Sequence, residues 1–345
     1  MNLRKILLFT ITFLILAFIG QYIYIEKYFL NSIEYEHTKK NITLIRRTNI
    51  STTSPLFFQK IDQNTKYLLM QLPAKWSGSC GGLANQLWRL AVLYSIGKSL
   101  NRAPGILNSS TWTCDKLNAP NEVPNTFPNL YSSIPLMKPD LLNSTMDDLF
   151  KDNCCKYQNV TDIYGKIEEK YLIIYPPPQS PIYLQNNKEQ IKQLFQFSKN
   201  INIQIVTYIN QLFQNDITSH KFCVHTRLGD FGTTKWPMHK RTDKNFTEAA
   251  IKFVITYLKM VSKIYIPKLM TRGEDMCFGT LACNSLLITA SSSTFAWWLG
   301  YLLKEKNPNI FYNSDFNFSN YNKENFPNDW KPLKWDEKAG RIVLE

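Results

Sequence analysis

The chain has 345 residues, 44% hydrophobic and 14% aromatic, and 40 Lys and Arg against 27 Asp and Glu give it a net charge of +13. This much apolar side chain builds one large domain or two ordinary ones and excludes a disordered or fibrous protein. The charge suits an anionic small substrate or an anionic membrane surface. With no basic run interleaved with aromatics, it does not point to nucleic acid.

A membrane span is expected over 6–25, where the only polar side chains are Thr10, Thr12, Gln21 and the tyrosines, since a helix crosses a bilayer with about 20 apolar residues. Ala17-Phe18-Ile19 and Phe18-Ile19-Gly20 set bulky groups where a signal peptidase needs small ones, so the span reads as an uncleaved signal-anchor. Arg4 and Lys5 precede it and Glu26, Glu34 and Glu36 follow. This predicts a cytoplasmic tail over 1–5 and everything after 25 in the lumen. Sequons at Asn41, Asn49, Asn108, Asn143, Asn159, Asn245 and Asn317 suit that compartment. So do the cysteines at 80, 114, 154, 155, 223, 277 and 283, an odd number that leaves at least one unpaired; Cys223, in mid-strand, is expected to be a buried free thiol. No pair of C-x-x-C clusters calls for structural zinc.

Residues 26–66 are polar and threonine-rich, a stem. A first half follows over 67–215. It begins with a strand over 67–71, a loop holding Gly78, Gly81 and Gly82, and a helix over 85–100 with Leu83, Leu87, Leu90, Ala91 and Tyr94 at three- and four-residue steps. Asn85 and Gln86 stand at the mouth of that helix, where free N–H groups suit an anion or a sugar. Prolines and asparagines across 104–170 predict an irregular insertion, pinned by a disulfide from Cys114 to the Cys154-Cys155 pair. A strand over 171–175 stopped by Pro176-Pro177-Pro178 and helices over 188–197 and 201–213 complete this half.

The second half, 216–345, opens on KFCVHTRLGDF, a strand running into a turn at Leu228-Gly229-Asp230. This leaves Arg227 at a strand's carboxyl end, where ligands sit in open α/β sheets, with a planar fork suited to a diphosphate. A helix is expected over 246–260, a short strand over 263–266, a helical piece after Arg272, a strand over 285–289, a helix over 295–304 and a strand over 309–312. Between the 285–289 strand and its helix lies Ser291-Ser292-Ser293-Thr294. Hydroxyls and free N–H groups at a helix amino terminus suit a phosphate. Trp297 and Trp298 are expected in the core.

GGLANQLWRLA at 81–91, VHTRLGDF at 224–231 and LITASSSTFAWWLGYL at 287–302, in this order, resemble the α-1,2-fucosyltransferases (glycosyltransferase family 11-like), and their nematode-like branch in particular. The resemblance implies an α/β, GT-B-like fold in which two Rossmann-like halves face each other across a cleft, behind the transmembrane helix and stem. It further implies GDP-fucose as donor, a galactose-terminated glycan as acceptor, α-1,2 linkage with inversion, no cofactor and no metal, and a type II Golgi membrane protein. Carried over by motif, His225, Arg227 and Asp230 form the donor signature, with Ser292, Ser293 and Thr294 beside it and Asn85 and Gln86 facing from the first half. Arg227 and Asp230 are the catalytic candidates, Asp230 either orienting Arg227 or taking the acceptor's proton. The chain has no Asp-x-Asp, so protein groups must meet the charge of the departing diphosphate.

Two departures from the family pattern bear on activity. Leu228 stands where family members carry a second arginine, a trait shared with the protein O-fucosyltransferases. Only Val261-Ser262 separates the 246–260 helix from the 263–266 strand, where the family has a further strand and helix. Alternative readings are therefore an inactive lumenal binding relative and a protein O-fucosyltransferase. Four strands from Lys221 onward make a thin sheet, which predicts a poorly stable or inactive chain and a longer gene product.

Overall fold

The computed structural model describes residues 64–71, 82–107, 122–139, 141–151, 153–216, 218–234, 236–259, 263–268, 270–316 and 319–345. The expected membrane span, cytoplasmic tail, most of the stem, Gly78, Gly81, Cys80, Cys114 and Val261-Ser262 lie outside them. No helix among the described residues is long and apolar enough to cross a membrane.

The first sheet has five strands in the order β3-β2-β1-β5-β4, every pairing parallel. Its centre is β1 (Tyr67–Met70), between β2 (Ala103–Leu107) and β5 (Tyr171–Ile174); β3 (Leu136–Met137) and β4 (Ser144–Asp147) form the edges. A parallel strand covered on both faces is apolar throughout, and YLLM and YLII are fully buried. Alternate residues divide between faces: Leu68, Met70, Leu172 and Ile174 join the main core, while Tyr67, Leu69, Tyr171 and Ile173 form a smaller cluster with Met137. Residues 104–170, expected to be an irregular insertion, therefore supply three strands of the sheet. Pro104 lies within β2 and Pro135 just before β3, and that punctuation hid these two, while the short polar STMD of β4 shows no strand pattern.

Helix α1 (Leu83–Ser99) follows β1 and is buried nearly all round, including Trp88 and Arg89, because it packs against both its own sheet and the second half. Short helices α2 (Glu122–Thr126), α3 (Pro128–Ser132) and α4 (Val160–Tyr164) border the sheet. The helices α5 (Lys188–Leu194) and α6 (Lys199–Leu212) lead to the second half.

The second sheet has the order β10-β9-β8-β7-β6. Strands β6 (Phe222–His225), β7 (Ser285–Ile288), β8 (Asn309–Asn313) and β9 (Lys331–Asp336) run parallel, and β10 (Arg341–Leu344) is antiparallel to β9. One face is covered by α7 (Lys244–Leu258), whose Phe246, Ala250 and Val254 meet Leu287, Phe311, Leu333 and Ile342. Asp243 caps α7 by accepting the Phe246 N–H at 2.7 Å. The other face carries Leu286, Ile288, Ile310 and Tyr312 into the main core with α8 (Arg272–Ala282) and α9 (Thr294–Leu302). Trp297 and Trp298 are buried there against Trp88 of α1, with ring centroids 4.2 and 5.2 Å away. The Trp298 indole donates to the Ala84 carbonyl at 3.0 Å, so the two halves share one core.

Three expectations are corrected. Residues 263–266 form no strand: Ile264 and Ile266 are exposed, and Tyr265 rests edge-on against Phe213 and donates to Asp216. The sheet's five strands come instead from β9 and β10, with β6 left at an edge. Cys223 is bonded to Cys283, at the end of α8, and the free cysteine among the described residues is buried Cys277, its thiol pushed up to about 12 by burial. Cys154 is bonded to its neighbour Cys155 rather than to Cys114.

Candidate functional site

The parallel register of the second sheet aligns His225 of β6 with Ile288 of β7, and Ile288 with Tyr312 of β8. Their carboxyl ends therefore discharge side by side into three loops: the one beginning at Arg227, the Thr289–Thr294 turn and the segment after Asn313. Such a row of strand ends is where an open α/β sheet holds ligands.

Arg227 sits with its side chain 41% exposed, one guanidinium nitrogen 2.7 Å from Asp230 Oδ1 and the group lying over the Phe231 ring at 5.0 Å. Its Nε is enclosed without a hydrogen-bond partner. Asp230 and the ring thus hold the fork in place, while much of it stays open to an incoming anion. Gly229 has φ +58°, a left-handed turn that returns the chain so Asp230 can reach back to Arg227.

His225 lies just beneath. Its imidazole stacks on Phe295 at 5.9 Å and its Nδ1 is enclosed without a partner. Burial, reinforced by the positive charge of Arg227, pushes its pKa down to about 4, so it is uncharged at neutral pH. Between these two residues, the positive charge is carried by Arg227. His239, stacked on Phe231 at 4.8 Å, is likewise lowered by burial, with Asp230 opposing the shift.

Two threonines that sequence reasoning missed tie the loops together. Thr289 Oγ1 donates to the His225 carbonyl at 2.8 Å, so the 2.7 Å contact between Thr289 Oγ1 and Thr242 Oγ1 uses the Thr242 proton. The same Thr242 oxygen accepts the Arg227 N–H at 2.7 Å, and the Thr242 N–H returns to the Arg227 carbonyl at 2.8 Å. Arg227 is thereby locked to the end of β7. Only the pairing of β6 with β7 brings residues 227, 242 and 289 together, so no local motif announces them.

Beside this lock lies a shallow, solvent-open cleft lined by Lys240, Ser291, Ser292, Asn313, Asp315 and Phe316 among others. Ser291 donates to the Asn313 carbonyl, and Lys240 pairs with Asp315. Ser292 is the one of the predicted Ser292, Ser293 and Thr294 that lines this cleft. Ser293 is buried and precedes α9 without a side-chain cap, leaving the helix amino terminus to whatever occupies the turn. Thr294 turns the other way, donating to Asn85 Oδ1 at 2.8 Å. Asn85 therefore does reach the second half, as a partner of the α9 terminus. Gln86, expected to face a cleft, is 3% exposed and packed within the protein, because α1 is buried on this side too.

No protein-family model matches the sequence. A galactoside 2-alpha-L-fucosyltransferase of Caenorhabditis elegans is 28% identical over 284 residues, 73% of this chain and 77% of that protein. A second galactoside 2-alpha-L-fucosyltransferase of that organism is 25% identical over 304 residues, 74% of each chain. Among solved structures, the crystal structure of NodZ alpha-1,6-fucosyltransferase co-crystallized with GDP aligns with 81% of this chain and 98% of its own. It does so at 12% identity and a TM-score of 0.41, too loose an overlap to carry an argument. The likeness first visible in three short motifs thus extends along about three-quarters of the chain, and the protein is a relative of the galactoside 2-α-L-fucosyltransferases.

Proposed function

We propose that this protein transfers fucose from GDP-fucose to a galactose-terminated glycan in α-1,2 linkage, inverting the anomeric carbon without a metal ion. The observation that carries the proposal is the placement of Arg227, held by Asp230 and locked through Thr242 and Thr289, beside the uncapped α9 terminus at adjacent parallel strand ends. When the bond between C1 and the diphosphate breaks, negative charge grows on the leaving group, and a fixed guanidinium with free helix N–H groups stabilises that charge. Ser292 adds a hydroxyl from the cleft wall. Asp230, engaged with the guanidinium, orients Arg227.

In this reading the two halves are arranged in the GT-B manner. The chain is a type II Golgi membrane protein with its catalytic part in the lumen, and the Lys and Arg excess suits an anionic donor. Leu228, in place of the family's second arginine, leaves Arg227 to meet the diphosphate charge without an arginine neighbour. The test is a donor screen on the purified chain from about residue 64, offering each nucleotide sugar with mixed glycan acceptors. Fucose transfer from GDP-fucose is expected. Transfer from UDP-sugars instead overturns the reading, and GDP binding with no transfer establishes the inactive relative in its place.

A further inference from the structure

We propose that Asn143 carries an N-linked glycan that covers the open edge of the first sheet. The proposal rests on the lumenal placement given above. Strand β4 is an edge strand whose one neighbour is β5. Exposed edges invite pairing with another chain, and proteins usually blunt them with charge, proline or a covering group. Within β4, which reads STMD, the one charged residue is Asp147 at the last position, where it accepts the Tyr164 hydroxyl at 2.7 Å.

Apolar side chains at this edge are exposed: Leu142 just before β4 by 95%, Met146 within it by 53%, and Leu149 just after it. Exposed apolar groups on an unpaired edge favour association with another chain. The sequence supplies the cover at the same place. Asn143-Ser144-Thr145 is an acceptor sequon. Asn143 is exposed, ends a single 3-10 turn and leads directly into β4.

Two other sequons fall among the described residues, and neither adjoins an edge strand in sequence. Asn159 caps α4, accepting the Thr161 N–H at 3.2 Å and donating to Asp162 at 2.8 Å. Asn245 lies in the first turn of α7, on the second sheet.

The modification is a group transfer. The Asn143 amide nitrogen bonds C1 of an oligosaccharide supplied on a lipid diphosphate, and the bond from C1 to the diphosphate breaks. The lipid diphosphate departs with that electron pair, and the nitrogen gives up one proton. The product is a bulky, hydrated group seated next to Leu142 and at the start of the strand.

The experiment expresses the full chain in the secretory pathway of a eukaryotic cell and maps glycopeptides by mass spectrometry. Asn143 is expected to be occupied in most molecules. Asn143→Gln should lose one glycan and associate at several-fold lower protein concentration by light scattering, while Asn143→Gln with Met146→Lys should return to the monodisperse state because a charge then blunts the edge in the glycan's place. An unmodified Asn143 in molecules glycosylated elsewhere overturns this proposal alone. No glycan anywhere overturns it together with the lumenal placement. An Asn143→Gln variant as soluble as the parent overturns the covering role.

Discussion

On the proposed function, Arg227 concentrates the chemistry of the second half into one side chain. Because Asp230 and Phe231 position it without using up its fork, replacing it removes charge stabilisation while leaving the fold intact. Arg227→Ala should lower kcat/KM for fucose transfer by about a hundredfold or more, the roughly 3 kcal/mol lost with one preorganised donor. Arg227→Lys should recover little of it, since an ammonium cannot grip at two points. Steady-state kinetics with an unchanged melting temperature is the check. His225 supports a second residue-scale prediction. Its folded pKa of about 4 lies below the unfolded value of about 6.5. Its contribution to stability is thus complete above pH 6.5 and is lost as pH falls toward 4. Melting temperature should decline between pH 6.5 and 5, above the range in which carboxylates titrate, and His225→Gln should reduce that decline, the rest coming from His220 and His239, which burial also lowers.

At the scale of elements, β6 is the exposed member of the sheet that builds the site, and a covalent bond compensates for its edge position. Cys223 in β6 is joined to Cys283, 60 residues on, which anchors the strand to the start of β7. Closing a loop of that size stabilises by about 2–4 kcal/mol. Replacing both cysteines by alanine should lower the denaturant midpoint accordingly and loosen the Arg227 loop, seen as faster amide exchange at Thr242. The mid-strand position suggested a buried thiol because strand periodicity describes one segment at a time. The partner of Cys223 lies at the end of a helix that reaches it only through tertiary packing.

At the scale of the molecule, the halves meet through α1 and α9 and through α2 and α8. Arg272 forms a two-nitrogen ion pair with Glu122, and a Cβ on Gly273 would come within 2.5 Å of Thr126 Oγ1. Gly273→Val should therefore cost about 1–3 kcal/mol by chemical denaturation, the usual penalty of overpacking. The five-stranded second sheet removes the argument that it was too thin, since β9 and β10 replace the strand expected over 263–266. Strand β6 is still a half-exposed edge strand, and Ile264 and Ile266 are exposed, features that a further strand and helix would account for. Sequencing the transcript is expected to reveal a form longer by about 25 to 35 residues between 260 and 263, the size of one such unit.

The sequence by itself determined the elements whose signal is local: the buried runs of β1, β5 and β7, the helices α1, α7 and α9, the burial of Trp297 and Trp298, and an arginine at the end of a strand. Each follows from periodicity, capping or a turn within about a dozen residues. Tertiary structure alone decided the rest. Strands β2, β3 and β4 carry too weak a pattern of their own, and they exist because β1, β2 and β5 respectively offer them partners. Thr242 and Thr289, 47 residues apart, carry no motif yet hold Arg227 in place. Thr294, read as a donor contact, spends its hydroxyl on Asn85, 209 residues away. A residue type in a pattern states what a side chain is able to do, whereas which of its possible partners it meets depends on contacts distant in sequence, and the packing of the two sheets on a common core selects them.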